Sequence, residues 1–554
     1  MAYKRDPVTA PRLRGMPLRL FVETLEGPLG RSVLRKILND SGFGRFQKTS
    51  ADGAPPVQLK LPHPPNAPAS EPDRLKLAEQ VAGEGPWPTQ ETVAAFARAY
   101  RKGELTPVDV ARRVQEGMAK LKDLNLFVAS DPEDVRRQAE ASARRFAEGR
   151  PLSVFDGVPV AVKDELDQVP YPTTVGTSFV GKAPATQDAT LVARLRAAGA
   201  VLIGKANMHE IGINPIGINP HYGATRNPWN PSRITGGSSS GSAAAVASGL
   251  CPVSIGADGG GSIRIPAALC GVVGLKATWG RISEHGVYPL CWHVGHVGPI
   301  GRTVRDVAAA YAVIAGADPL DPGSQAQPFV ELDAMARADL SGIRLGIHRP
   351  YFEDADPDVV RACDEAVRAL VAKGATVVDV PAPDLNTILW QHAVIILTEM
   401  VTCMMPAIDE DIRRFGLDVR TNLAIGRYFS SSDYVHALQH RHKLTRELLA
   451  TMQNVDAIVT PTTATTAPEM PEQALPEGES NLVMTDGLMR FIRPANITGF
   501  PGIAVPAGYD RQGLPVSLHF MGRPWEEGLL LRLAAAVEEA VPPRTPARQV
   551  RLLG

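Results

Sequence analysis

Three short stretches of the chain concentrate the residue types that acyl transfer uses. Gly236-Gly237-Ser238-Ser239-Ser240-Gly241-Ser242 is a glycine–serine turn running into the small residues Ala243-Ala244-Ala245. Asp258-Gly259-Gly260-Gly261-Ser262-Ile263-Arg264 follows an apolar run and sets a serine directly after three glycines. Gly157-Val158-Pro159-Val160-Ala161-Val162-Lys163-Asp164 ends another apolar run on a lysine. Lys163 stands 75 residues before Ser238, and Ser238 stands 24 before Ser262. A serine hydroxyl attacks a carbonyl only when a base takes its proton. A lysine can be that base only in its neutral form, which apolar surroundings favour. A second hydroxyl can relay the proton because it both donates and accepts. The N–H groups of Gly259, Gly260, Gly261 and Ser262 can converge on an oxyanion, with no glycine side chain in the way.

Competing readings of the same residues are weaker. Gly237-Ser238-Ser239-Ser240-Gly241 fits the G-x-S-x-G elbow and would nominate Ser239, but that elbow needs a strand before it, and Asn227-Pro228 to Pro231-Ser232 reads as loop. The same run is no phosphate loop, since no lysine follows it. Cys291, His293 and His296 have metal-ligand composition without a legible fourth ligand, and a core and loop cluster is the better reading.

The glycine–serine run, the G-G-S-I-R that follows it and the upstream strand lysine resemble the blocks of the amidase signature family, in register, over roughly residues 90–545. Single turn serines or a strand-end lysine would not produce that register. Resemblance implies an acyl-enzyme on Ser262, Ser238 as a proton bridge after a cis peptide from Gly237, and Lys163 as base. It also implies an oxyanion hole at Gly259, Gly260 and Gly261. Asp258 and Arg264 are expected to brace that turn as an ion pair. Within the family the chain resembles the plant-type fatty acid amide hydrolases, through Leu20-Phe21-Val22, Leu25-Glu26-Gly27-Pro28-Leu29, Asp258-Gly259-Gly260-Gly261 and Gly522-Arg523-Pro524-Trp525. The implied substrate is a lipophilic N-acyl amide such as an N-acylethanolamine. Two rivals are an aryl or small-molecule amidase or esterase using the same residues, and an amidotransferase component passing ammonia to a tRNA-charging partner. No metal or organic cofactor is implied.

These residues need a scaffold. Apolar runs at 158–162, 201–203, 253–255, 343–347, 458–460 and 503–505 predict strands. Helices are predicted at 188–198, 240–248 and 303–315, so the pattern is α/β around a mixed sheet. One catalytic domain is expected over 87–554. Residues 51–86, rich in Pro, Ala and Gly, predict an extended linker. Residues 1–50 predict two amphipathic helices carrying Leu18, Phe21, Leu25, Leu29, Val33 and Ile37, with Arg31, Arg35 and Lys36 alongside. These suit a substrate channel, a membrane surface contacted through residues 12–38, or plain packing. A balance of 58 Lys+Arg against 59 Asp+Glu leaves no basic excess for nucleic acid. Five scattered cysteines in apolar surroundings suit reduced thiols, and no run suits a bilayer span or a secretory signal. A cytoplasmic enzyme, peripheral at a membrane and homodimeric, is the expectation.

Overall fold

The computed structural model describes residues 5–8, 10–57, 60–64, 73–87, 91–324 and 327–554. Its centre is an 11-stranded sheet ordered Phe127–Ala129, Val201–Ala206, Pro159–Lys163, Val253–Ala257, Val297–Gly301, Val273–Lys276, Gly502–Tyr509, Pro515–Gly522, Ala457–Pro461, Arg344–Ile347 and Thr376–Asp379. The sheet is mixed. Pro159–Lys163 runs parallel to both of its neighbours, whereas the middle of the sheet is antiparallel. Strands buried on both faces read as near-continuous Val and Ile runs, and Val160, Val162, Val253, Ile255, Ile503 and Val505 all lie in the main core. The architecture is α/β. All six predicted strands and all three predicted helices are present, with ends shifted by a few residues.

Polar caps start the helices where the chain needs them. Thr106 and Asp109, Thr303 and Asp306, and Ser430 and Asp433 form reciprocal capping boxes. Helix Ser240–Ala247 consists of small residues and is buried along its whole length. It packs against strands Pro159–Lys163 and Val253–Ala257, and so brings the glycine–serine turn to the carboxyl end of the sheet.

Two expectations change. Part of the segment 51–86, predicted to be an extended linker, is helical: Asp73 accepts from the N–H groups of Leu75 and Lys76 and starts helix Arg74–Val81, whose Leu77, Ala78 and Val81 join the core. Residues 58–59 and 65–72 of that segment lie outside the described residues. The second is helix Leu385–Asp411. The span 385–414 is long and apolar enough to cross a bilayer, with mean hydropathy 1.5 in its richest window, and 61% of that window is buried inside the fold. Gln391, His392, Thr398 and Glu399 interrupt its apolar residues and hide it from a simple run count.

The N-terminal stretches form helices Gly15–Glu26 and Gly30–Asp40. Leu18 and Val22 pack on Leu417 of helix Leu417–Tyr428, and Arg420 forms a bidentate pair with Glu26 at 2.6 and 2.9 Å. Residues Leu13–Arg14 form a small antiparallel sheet with Glu479–Ser480. The predicted apolar surface divides. Leu18 and Leu25 are buried, whereas Leu29 and Ile37 are exposed, together with Met16 and Leu20.

Candidate active site

Lys163 and Ala257 end two neighbouring parallel strands, at the carboxyl ends where open α/β folds hold their ligands. The Lys163 side chain is buried, and its Nζ donates to Ser238 Oγ at 2.8 Å and reaches the Ala257 carbonyl at 3.4 Å. Glu165 lies on the other side, with Oε2 2.6 Å from Nζ. The reading of the sequence missed that carboxylate; its only local mark is its place two residues after the lysine.

The peptide Gly237–Ser238 is cis. The Ser238 carbonyl accepts from the His209 N–H at 3.1 Å, which ties the turn to the loop after strand Val201–Ala206. Ser239 is fully engaged. Its N–H donates to the Ser262 carbonyl at 3.2 Å, and its Oγ both donates to the Ala257 carbonyl and accepts from the Ala257 N–H. It stitches the two serine loops together. No strand leads into it, so the elbow geometry is absent. Ser238 is 1% exposed and Ser262 is 8% exposed, so Ser262 is the one with more access for a substrate.

The loop before Ser262 is pinned at nearly every carbonyl. The Asp258 carbonyl accepts from Asn496 Nδ2 at 2.9 Å, that of Gly259 from His392 Nε2 at 2.9 Å, and that of Gly261 from the Ile265 N–H at 2.7 Å. The Gly261 N–H donates to Asp258 Oδ1 at 2.6 Å. That donor is committed, and the candidate oxyanion donors narrow to Gly259, Gly260 and Ser262, whose N–H groups have no acceptor among the described residues. Gly261 holds φ +117°, a backbone conformation that side-chain-bearing residues rarely adopt.

Asp258 and Arg264 form a fully buried ion pair, with Nε–Oδ2 at 3.0 Å and Nη2–Oδ1 at 3.2 Å, and Asn496 bonds to both. Burial alone would raise the Asp258 pKa. The Arg264 charge and hydrogen bonds, Asn496 and the Lys276 charge outweigh it and hold the carboxyl well below the usual carboxylate range. Asp258→Ala leaves Arg264 buried without its partner. It is expected to cost about 3–5 kcal/mol, read as a lower urea midpoint; an unchanged midpoint would show that the pair is dispensable. The folded pKa is depressed, so this stability is present at neutral pH and is lost as pH falls below about 4, where the unfolded carboxyl takes its proton.

Cys291, His293 and His296 do not converge. His293 pairs with Glu399 at 2.6 Å, and His296 bonds the Val294 carbonyl through Nδ1. Glu399 also accepts from Tyr434 Oη and from the N–H groups of Trp292 and His293, so it anchors that turn of the loop. Among the described residues no group of His, Cys, Asp and Glu is arranged to hold a metal ion, and all five cysteines are free thiols.

The family described as Amidase matches residues 110–531. A fatty acid amide hydrolase of Arabidopsis thaliana is 38% identical over 578 residues, covering 98% of this chain and 94% of that one. A glutamyl-tRNA(Gln) amidotransferase component of Chloroflexus aggregans is 35% identical over 478 residues, covering 81% of this chain and 96% of that one. Among solved structures, native peptide amidase from Stenotrophomonas maltophilia superposes with a TM-score of 0.72 at 28% identity, covering 83% of this chain and 99% of that one.

Proposed function

The chain belongs to the amidase family and is an amide hydrolase with the amidase signature fold; from that premise we propose that it cleaves lipophilic N-acyl amides, such as N-acylethanolamines and fatty acid amides, to a free acid and an amine. In the proposed reaction Ser262 Oγ attacks the amide carbonyl while its proton passes to Ser238, and the Ser238 proton passes to Lys163. The oxyanion is held by backbone N–H groups of the 259–262 loop. Collapse of the tetrahedral intermediate breaks the C–N bond, and the proton returns through Ser238 to the leaving amine. Water then attacks the acyl-enzyme by the same relay and releases the acid. The contact of Lys163 Nζ with Ser238 Oγ at 2.8 Å, beside the loop that carries Ser262, supports this order.

The observation that carries the substrate class is coverage. Similarity to the fatty acid amide hydrolase runs through 98% of the chain, whereas similarity to the amidotransferase component stops at 81%. The N-terminal helices, docked on helix Leu417–Tyr428, have no evident place in a protein seated on a tRNA-charging partner. Recovery of a stoichiometric tRNA-binding protein in a pull-down would favour that rival.

A membrane role for the N-terminal helices belongs to the same proposal. Met16 and Leu20, one turn apart, are 63% and 56% exposed, and so are Leu482 and Val483 at 44% and 54%, which follow the strand paired with Leu13–Arg14. Arg31, Arg35 and Lys36 are not buried either and could meet anionic headgroups. Each CH₂ of acyl chain that enters a channel contributes about 0.8 kcal/mol, or roughly fourfold in kcat/KM. The test is hydrolysis across acyl lengths and headgroups with a short aryl amide included, by the parent and by Met16→Ser/Leu20→Ser. The parent is expected to favour long chains, and the variant to lose liposome association and long-chain turnover while keeping the aryl amide. Equal turnover on every substrate and unchanged liposome binding would assign these helices to packing alone.

A further inference from the structure

His392 lies in helix Leu385–Asp411, 130 residues beyond Ser262, and belongs to none of the three chemistry-bearing stretches. It is buried at 4% exposure, yet its imidazole touches the loop that precedes the nucleophile. Nε2 lies 2.9 Å from the Gly259 carbonyl. Burial first, then the neighbouring Arg493 charge, pushes its pKa down to about 4, so the ring is neutral at pH 7. A neutral imidazole that bonds a carbonyl through Nε2 carries its proton there and is the donor.

In a trans peptide the carbonyl and the following N–H point in opposite directions. Holding the Gly259 carbonyl towards the helix therefore turns the Gly260 N–H away from it. The ring also packs closely on the backbone it holds: a Cβ on Gly260 would lie 2.7 Å from His392 Cε1 and 2.7 Å from Met489 Cε. Asp258 and Asn496 hold the start of the loop, and Asp258 with the Ile265 N–H hold its end at Gly261. The Gly259–Gly260 peptide in between has His392 as its side-chain anchor among the described residues.

We propose that His392 is a positioning residue that fixes the Gly259–Gly260 peptide plane and so aims the Gly260 N–H at the oxyanion. This rests on the reading of Ser262 as nucleophile. An N–H misaimed by a rotated peptide loses strength in the tetrahedral state, where negative charge is concentrated, far more than in the neutral ground state. The residue is thus expected to act on kcat and hardly on KM.

The test compares His392→Phe, which fills the space without a donor, with His392→Gln, which restores an N–H donor near the same point. His392→Phe is expected to lower kcat by roughly 10- to 100-fold, below the ~100- to 1000-fold cost of losing an oxyanion donor outright, with KM nearly unchanged. The affinity of a fatty acyl trifluoromethyl ketone, which forms a tetrahedral adduct, should fall by a similar factor, and that of the product fatty acid should not. His392→Gln should recover both within a few fold. Parental kcat and ketone affinity in His392→Phe would overturn the proposal, as would equal losses in both variants with equally lowered melting points. A fluorophosphonate applied to the parent separates this failure from that of the underlying reading: if it does not label Ser262, the nucleophile is elsewhere and the proposal falls with it.

Discussion

Ser262→Ala is expected to abolish acyl-enzyme formation and to lower amide hydrolysis by up to the order of 10⁶-fold, the scale seen when a serine nucleophile is removed from a serine hydrolase. The unfolding midpoint should stay at the parental value. What holds this position is backbone: the Ser262 carbonyl accepts from Ser239, and the flanking N–H groups of Gly261 and Ile263 donate to Asp258. None of these bonds uses the hydroxyl. Covalent labelling of the parent by a fluorophosphonate, located by peptide mass, should fall on Ser262. Labelling at Ser239 would sink the assignment, and it would also require the Ser239 hydroxyl to leave Ala257.

Replacement of Lys163 is expected to have the next largest effect, a loss of roughly 10²- to 10⁴-fold in kcat, the range supplied by a general base. Lys163→Met is the cleaner variant because it keeps most of the buried volume. It leaves Glu165 and Ser238 without the ammonium or amine now between them. The double variant Lys163→Met/Glu165→Gln therefore serves as a control for the stranded carboxylate. Turnover and the rate of fluorophosphonate labelling should fall together in both, since attack by Ser262 is the step that needs the base. If either variant hydrolyses amides near the parental rate, Lys163 is a structural residue and the relay is wrong.

The parts of this molecule that could be read from its sequence are those whose physical signal is local. Strand Val253–Ala257 is an apolar run between turn residues, and Ser238 and Ser262 sit in glycine-rich turns that ordinary packing does not call for. Strands Val273–Lys276 and Val297–Gly301 escaped notice. The second reads Val297-Gly298-Pro299-Ile300-Gly301, a composition that ordinarily marks a turn. Its place in the middle of the sheet comes from pairing with Val253–Ala257 on one side and Val273–Lys276 on the other. Thr376–Asp379 is an exposed edge strand and lacks the apolar signature of the interior.

Residues that act on the site from afar were illegible for a related reason. His392 and Glu399 are seven apart, two turns of one helix, and each secures a different loop. Nothing near either in the chain marks that duty. The helix itself reads as apolar filler, and only its path past Gly259 and Trp292 gives its polar residues their roles. The N-terminal helices show the opposite error. Their amphipathic pattern was plain, but it could not say which apolar residues face Leu417 and which face outward.

The small sheet formed by Leu13–Arg14 and Glu479–Ser480 has a consequence for how the protein is made. Arg12 and its ion-pair partner Glu479 are 467 residues apart. A ribosome adding ~5–20 residues per second needs about half a minute to a minute and a half to cover that interval. Throughout it, Leu18, Val22 and Leu25 have been synthesised while the strand that will receive residues 13–14 does not yet exist. Helices Gly15–Glu26 and Gly30–Asp40 are thus translated long before they can be fully seated. Over that interval a nascent chain carries the apolar faces of these helices without the surface that later covers them.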